Sequence, residues 1–224
     1  MPFSSSPQAA LRASWETNAP LWTEAVREGR IPSRKAATDA AIVEAILDGL
    51  PMGGRVLDVG CGEGWLGRAL HQLGVHVHGI DGSAALIQAA QAHGHGSFDL
   101  IDYELAAEDP SRLGGPYDVA VFNFALLDDD AVSILRAARS SLDIGGRVLI
   151  QTTHPLTPDG PYTDGWRREL FTELDGGFTP MPWYFRTLSS WIRAIRSAGL
   201  SVTDLREPTD IGTSEPLSLL FTTE

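Results

Sequence analysis

A chain of 224 residues, 43% apolar and 21% charged, can bury a sizeable core and fits one generous domain with room for an appended subdomain. A formal charge of −12 and a pI near 4.8 argue against a phosphate-tracking surface, and no run of Lys or Arg offsets them. The single cysteine, Cys61, allows no intramolecular disulfide, and the sequence shows neither a secretory signal nor an apolar run of the ~18 residues a membrane helix needs. These properties predict a cytoplasmic protein that handles small molecules, with no nucleic-acid or membrane partner.

Residues 1–7 are rich in Ser and Pro and are expected to fray. From there to residue 37, Trp15, Trp22 and Val26 are scattered among polar residues, which predicts short cap helices folding onto another part of the chain. A helix is predicted over 39–50, with Ile42, Val43, Ile46, Leu47 and Leu50 as its apolar stripe. "RVLDV" reads as a strand, followed by a helix carrying Leu66, Ala69, Leu70 and Leu73 on one face. "VHVHGID" is the second strand, and Ser83 is placed to cap the next helix. "SFDLI" is a third strand, "YDVAVFNF" a fourth, a helix follows from Asp129 to Leu142, and "GGRVLIQTT" is the fifth strand. Alternating strands and helices, with strands apolar throughout, predict a parallel sheet covered on both faces.

After Thr153 the composition shifts to Pro, Gly and aromatics, and the segment over about 154–186 is too long for a simple connection. Its aromatics predict a folded lid rather than a disordered loop. A helix bearing Leu188, Trp191, Ile192 and Ile195 and two final strands, "LSVTDL" and "LSLLFT", complete the chain. The predicted division is therefore N-terminal cap helices over 1–37 and a main domain over 38–224 carrying the lid.

The stretch "VLDVGCGEG" places Gly60, Gly62 and Gly64 where the first strand turns into a helix. Such a turn brings bare main chain and unpaired helix N–H groups close to a ligand. A dinucleotide fingerprint would need a third glycine at position 65, which is Trp65, and the acidic Asp58 inside the strand would repel a diphosphate. Asp58 instead suits an ammonium group or the loop's own amides. Asp81, at the tip of the second strand and 17 residues after Gly64, can accept both hydroxyls of a ribose, with Gly82 keeping the approach open.

In this order, "VLDVGCGEG", "VHGIDGS", "YDVAVFNFALLDD" and "LDIGGRVLIQT" resemble the class I S-adenosylmethionine-dependent methyltransferase family over about residues 53–153. "RTLSSWIRAIRSAGLSVTDLREP" is similar to that family's last helix and strand. The resemblance implies a Rossmann-like α/β fold, a seven-stranded sheet of order 3-2-1-4-5-7-6 whose last strand is antiparallel, with helices on both faces. It also implies S-adenosyl-L-methionine as cofactor and S-adenosyl-L-homocysteine as product. By matching position, Asp58, Gly60, Cys61, Gly62 and Gly64 lie under the methionine part, Asp81 and Gly82 at the ribose, and Asp102 and Tyr103 beside the adenine. Asn123 and Phe124 would face the methionine part and the substrate, although Asn123 reads equally well as a turn residue. Cys61 reads as a buried filler of the loop rather than a nucleophile.

Methyl transfer from a sulfonium is an in-line displacement that depends mainly on alignment, with a base needed for some nucleophiles. His154, just after the fifth strand, is the candidate base, with a strand-end structural role as the equal alternative. Tyr162, Trp166, Arg167, Trp183, Tyr184 and Arg186 are candidate substrate contacts, aromatics and guanidinium groups of the kind small-molecule pockets use. Trp22 and Arg34 are candidate cofactor contacts from the N-terminal segment. His76, His78, His93 and His95 lack the companions a metal site needs, so no metal is expected. Asp128, Asp129 and Asp130 read as a helix N-terminus, where negative charge is favoured. The expected activity is methylation of an oxygen or nitrogen of a small molecule by a monomer or homodimer. A cofactor-binding protein without methyl transfer and a nicotinamide-dependent oxidoreductase are the alternatives.

Overall fold

Ser6 accepts a hydrogen bond from the Ala9 N–H and, with Pro7 in the first turn, starts helix α1, Pro7–Arg27. The computed structural model describes residues 6–93, 95–156, 160–174, 176–210 and 212–224. The expected fraying of 1–7 thus falls largely outside the described residues, while Ser6 caps the helix and Pro7 opens it. Where several short helices were expected before residue 37, α1 is one helix of 21 residues that carries Pro20 inside it.

A π-helical turn, Arg34–Thr38, leads into α2, Asp39–Leu47. Helices and strands then alternate: β1 Arg55–Val59, α3 Trp65–His71, β2 His76–Asp81, α4 Ala84–Gln91, β3 Ser97–Leu100, α5 Tyr103–Glu108, β4 Tyr117–Asn123, α6 Val132–Ser140 and β5 Leu142–Thr153. Beyond the insertion come α7 Leu188–Ser197, β8 Val202–Arg206 and β9 Ser218–Thr223. The sheet has seven strands in the order β3-β2-β1-β4-β5-β9-β8, which is the expected 3-2-1-4-5-7-6. The first five pair in parallel, and β9 runs antiparallel to both β5 and β8. The connection from β8 to β9 is short enough only for an antiparallel return, because a parallel one needs a crossover of a dozen residues or more.

The unbroken apolar strands follow from burial on both faces. Val56 of β1 packs with Ile42, Ile46, Leu66 and Leu70 of α2 and α3, while its neighbour Leu57 packs on the other face with Leu135, Ala138 and Trp191 of α6 and α7. β9 repeats the alternation, Leu220 facing one core and Phe221 the other.

Several element ends differ from expectation for local reasons. α2 stops at Leu47, whose side chain is exposed, so its stripe narrows to Ile42 and Ile46. α3 ends before the exposed Leu73. α6 begins after Asp130 rather than at Asp129, because the Asp130 carboxylate accepts the Val132 and Ser133 N–H groups. Its expected last residue, Leu142, instead starts β5 opposite Tyr117.

The 154–186 insertion contains an antiparallel hairpin, β6 Gly165–Glu169 with β7 Met181–Phe185, forming a sheet of its own. It packs on α1: Leu11, Trp15 and Trp22 share a small core with Phe171, Met181 and Trp183. Asn18, almost fully buried, closes this contact by donating to the Thr179 C=O and accepting the Thr179 N–H, both at 2.8 Å. Replacing Asn18 with Ala leaves both backbone groups without a partner, at a cost of ~1–3 kcal/mol. The Asn18→Ala variant should therefore show a lower urea midpoint at unchanged m-value.

Candidate functional site

The carboxyl ends of β1, β2, β4 and β5 open into a cavity of about 1040 Å³, roofed by α1 and the β6–β7 hairpin. Its floor is the turn after β1. The Gly60 and Cys61 N–H groups both donate to the Ile80 C=O, at 2.8 and 2.9 Å, which draws the turn against the end of β2. Gly60 has φ +79°, and a Cβ there would lie 2.6 Å from the Ala125 Cβ and 2.7 Å from the Tyr103 hydroxyl. Gly62, at φ +56°, has no protein atom within 4 Å of its Cβ position, so open space borders it. Both torsions favour glycine.

Asp81 orders this edge. Its carboxylate accepts the Gly62 N–H at 3.0 Å and the Ser83 N–H at 2.8 Å. Burial raises its pKa, and the amides of Ser83, Gly62 and Gly82 oppose the rise. Ser83 also caps α4, accepting from the Leu86 N–H, and donates its hydroxyl to Glu16 of α1 at 2.6 Å. Asp102 caps α5 through the Leu105 N–H, and the Tyr103 hydroxyl donates to the Ala125 C=O. Burial pushes the Tyr103 pKa well up, so the group stays a phenol.

Asp58 sits directly behind the glycine turn, 2% exposed. Burial, followed by repulsion from Asp81, raises its pKa from 3.8 to about 7, with Arg34 opposing the rise. One of its oxygens, Oδ2, has no hydrogen-bond partner, and the same holds for Asn123 Oδ1 at the end of β4. Two buried acceptors without donors, beside the glycines of the turn, fit a ligand that brings N–H groups. Just beyond Asn123, Phe124 takes φ +53°, a left-handed torsion uncommon for a bulky residue, as the chain bends into the cavity wall.

The cavity brings together most of the residues singled out in the sequence. Gly60, Cys61, Gly62, Asp81, Gly82, Asp102, Tyr103, Asn123, Phe124, Trp22 and Arg34 all line it. Arg34 stacks over the Trp65 ring at 4.3 Å and pairs with Asp39 at 2.8 Å. Trp22 meets Trp15 edge to face at 5.2 Å. Cys61 is buried against Gly79, as a filler would be. Asp58 and Gly64 are not among the lining residues: Asp58 lies behind the turn, and a Cβ on Gly64 would meet Ala90 and Phe98, so Gly64 serves the packing of α3 on α4 and β3.

Of the candidate substrate contacts, Arg167, Trp183, Tyr184 and Arg186 line the cavity, and Tyr162 and Trp166 do not. The Tyr162 hydroxyl accepts the Leu188 N–H, and Trp166 packs edge to face on Tyr184. Arg167 lies over the Phe185 ring at 3.4 Å. Arg186 is buried and donates to the Leu126 and Asp128 carbonyls, so it clamps the loop after β4 rather than a substrate carboxylate. His154 is also absent from the lining. Its Nε2 meets Glu207 at 2.8 Å and its Nδ1 accepts the Leu156 N–H, which supports the strand-end role and not that of a base. Among the described residues no His, Cys, Asp and Glu group is arranged to hold a metal, and no helix is long and apolar enough to cross a membrane.

Other lining residues were not singled out: Leu11, Arg12 and Trp15 of α1, Phe171 of the insertion, and Asp128. A signal for the first group was present, since Leu11, Trp15, Trp22 and Val26 stand at i, i+4, i+11 and i+15, one face of a continuous helix. Asp128 had no such signal, because a carboxylate ahead of a helix reads as a cap.

Comparison with known proteins agrees with this geometry. A family profile described as "Methyltransferase domain" matches residues 33–205. A ubiquinone biosynthesis O-methyltransferase of Marinobacter nauticus is 39% identical over 107 residues, 45% of this chain and 44% of the relative. The chain therefore matches less than half the length of the curated relatives. Among solved structures, a Burkholderia thailandensis 1,6-didemethyltoxoflavin-N1-methyltransferase with bound S-adenosylhomocysteine superposes with a TM-score of 0.66. It is 22% identical, and the superposition covers 100% of this chain and 91% of that one. An S-adenosylmethionine-dependent methyltransferase of Mesorhizobium loti gives 0.58 at 22% identity, over 80% of this chain and 95% of that one. With its sheet order, its glycine turn and a family match over most of its length, the chain belongs to the class I S-adenosylmethionine-dependent methyltransferase family.

Proposed function

We propose that the protein transfers a methyl group from S-adenosylmethionine to an oxygen or nitrogen of a small molecule. One observation carries this reading: Asp58 Oδ2 and Asn123 Oδ1 are buried without donors beside the bare turn at Gly60 and Gly62. One carboxylate and one carboxamide oxygen, both buried, match the ammonium end of the cofactor, whereas a diphosphate would be repelled by Asp58. When bound, the cofactor supplies a methyl group already attached to a good leaving group, a sulfonium.

The chain's own residues then bind and orient. Asp58 and Asn123 take up the ammonium end, while the Gly60 and Gly62 main chain allows close approach. Asp81, held by two amides, presents its remaining lone pairs to the ribose. Tyr103, Asp102 and Gly82 border the space for the base. α1 and the hairpin exclude water, which strengthens every polar contact beneath them and favours alignment of nucleophile, carbon and sulfur. Trp183, Tyr184 and Arg167 face the acceptor molecule, and the insertion over 154–186 acts as the lid that sets substrate choice. The curated relatives are O-methyltransferases and a solved neighbour is an N1-methyltransferase, which supports an oxygen or nitrogen acceptor.

Calorimetry should show binding of S-adenosylmethionine and S-adenosylhomocysteine and none of NAD; the reverse preference would overturn the reading. Gly62→Ala meets no steric obstacle at the Cβ position and should fold with the modest loss of stability that a φ of +56° imposes on alanine, yet weaken S-adenosylhomocysteine binding by roughly tenfold, or about 1.4 kcal/mol. The pH dependence has a definite sign. Unfolded Asp58 loses its proton near 3.8 and folded Asp58 near 7, so stability of the ligand-free protein falls as pH rises through that window. A bound ammonium favours the carboxylate, so affinity should rise with pH up to about 7 and level off above it. Asp58→Asn should abolish that slope, stabilise the ligand-free protein at alkaline pH and weaken binding there, as followed by thermal melts with and without ligand.

A further inference from the structure

The loop after β4 is held with more hydrogen bonds than a turn needs. Residues 123–128 all line the cavity. Three consecutive carbonyls in it are tied to β7 and its end: Leu126 and Asp128 accept from the buried Arg186 guanidinium, and Leu127 accepts the Tyr184 N–H at 2.8 Å. A buried guanidinium is costly to desolvate, and spending it on main-chain carbonyls fixes the position of whatever that loop presents. What it presents at its end is the half-buried carboxylate of Asp128. Nothing in the helix-capping role requires Asp128, since Asp130 caps α6.

Charged and titratable groups approach Asp128 from each element packed around it. Asp129 stands beside it, its N–H donating to Asp128 Oδ1 at 2.7 Å, and Asp129 is in turn held by Gln8 of α1. Arg12 of α1 lowers the Asp128 pKa, while Arg186 lies beyond its carbonyl and Tyr103 of α5 feels its charge. Burial, followed by the Asp129 carboxyl, outweighs Arg12 and raises Asp128 to about 6, whereas Asp129 is lowered. The cavity that Asp128 borders is also lined by Phe124, Trp183, Tyr184 and Trp191, with the Arg167 and Arg186 guanidinium groups over the last three rings, an aromatic and cationic lining suited to an electron-rich planar ring.

We propose that Asp128 is the proton acceptor for a hydroxyl nucleophile carried on an aromatic ring, an assignment that rests on the methyl-transfer reading above. An amine enters as its neutral free base and can shed a proton after transfer, but a neutral hydroxyl is a weak nucleophile until its proton is drawn away. In the step, the hydroxyl oxygen forms a bond to the methyl carbon while the carbon–sulfur bond breaks and its electron pair stays on sulfur. The hydroxyl proton passes to the Asp128 carboxylate. The positive charge lost from sulfur leaves as that proton, which reaches solvent past the exposed Asp129. Because Asp129 holds part of the pair's proton affinity, it tunes Asp128 without touching the ring.

The test uses the full chain with methyl-tritiated S-adenosylmethionine and three acceptors, phenol, catechol and 4-nitrophenol, over roughly pH 5 to 9. Turnover of at least one is expected, and kcat at saturating S-adenosylmethionine, where the Asp58 dependence of affinity drops out, should show an acid limb near the Asp128 value of about 6. Asp128→Asn should lose about a hundredfold or more in kcat while keeping its S-adenosylhomocysteine affinity within about twofold. Asp129→Asn should retain turnover and move the acid limb to lower pH, a readout that a purely structural role would leave in place. Undiminished kcat in Asp128→Asn, an unmoved limb in Asp129→Asn, or no turnover of any of the three by protein that binds S-adenosylhomocysteine would each overturn the assignment. Failure of the wild-type chain to bind S-adenosylhomocysteine would instead overturn the methyl-transfer reading beneath it.

Discussion

The site depends on a carboxylate that the protein buries with an oxygen left unpartnered. Asp58 lies inside a parallel strand between two apolar cores, behind a turn whose glycines contribute no side chain to shield it. A second carboxylate, Asp81, stands near enough to raise its pKa further. Such an arrangement works against the folded chain by itself, and buried acceptors of this kind persist where something outside the chain completes them. The glycine turn, the two amides on Asp81 and the packing of Tyr103 against Gly60 all hold this pocket in shape.

A floor of this kind needs a roof, and the roof comes from parts of the chain far apart in sequence. α1 reaches the turn after each of the first four strands. Arg27 pairs with the buried Glu63, Glu16 meets Ser83, Arg12 pairs with Glu104, and Gln8 donates to Asp129. The hairpin closes the remaining side through the small core it shares with α1 and the two hydrogen bonds of Asn18. Exposed ion pairs such as Arg12–Glu104 contribute little individually, whereas the aromatic contacts and the buried Asn18 pair dominate. Cover and floor are thus joined by polar contacts at the rim and by apolar burial at the centre.

Much of the architecture was legible because it is local. The alternation of strand and helix, the apolar strands and the order of four short blocks are written in consecutive residues. Helix ends were less so: the Asp130 cap moves the start of α6 past Asp129, and Leu142 is drawn into β5 by Tyr117 across the sheet. At the site, residues in the strand-end turns came out together, because the topology of a parallel sheet brings those turns to one edge. The lid residues divided. The pairing of β6 with β7, which no pattern announced, brings Arg167, Trp183 and Tyr184 to the cavity and leaves Trp166 packed on Tyr184.

By itself the sequence determined the alternation of strand and helix, the glycine turn and the placing of Asp58 within β1 and Asp81 at the tip of β2, since each rests on short-range spacing and on strand burial; the sheet order came only with the family resemblance and the strand pairing itself. Only the tertiary structure decided that His154 turns to Glu207, that Arg186 clamps a loop and that Asp128 faces the cavity. The physical reason is that a side chain's role depends on which partners lie within hydrogen-bond reach. For these residues the partners stand 53 and 58 positions away in the chain, joined to them by packing that no local pattern records.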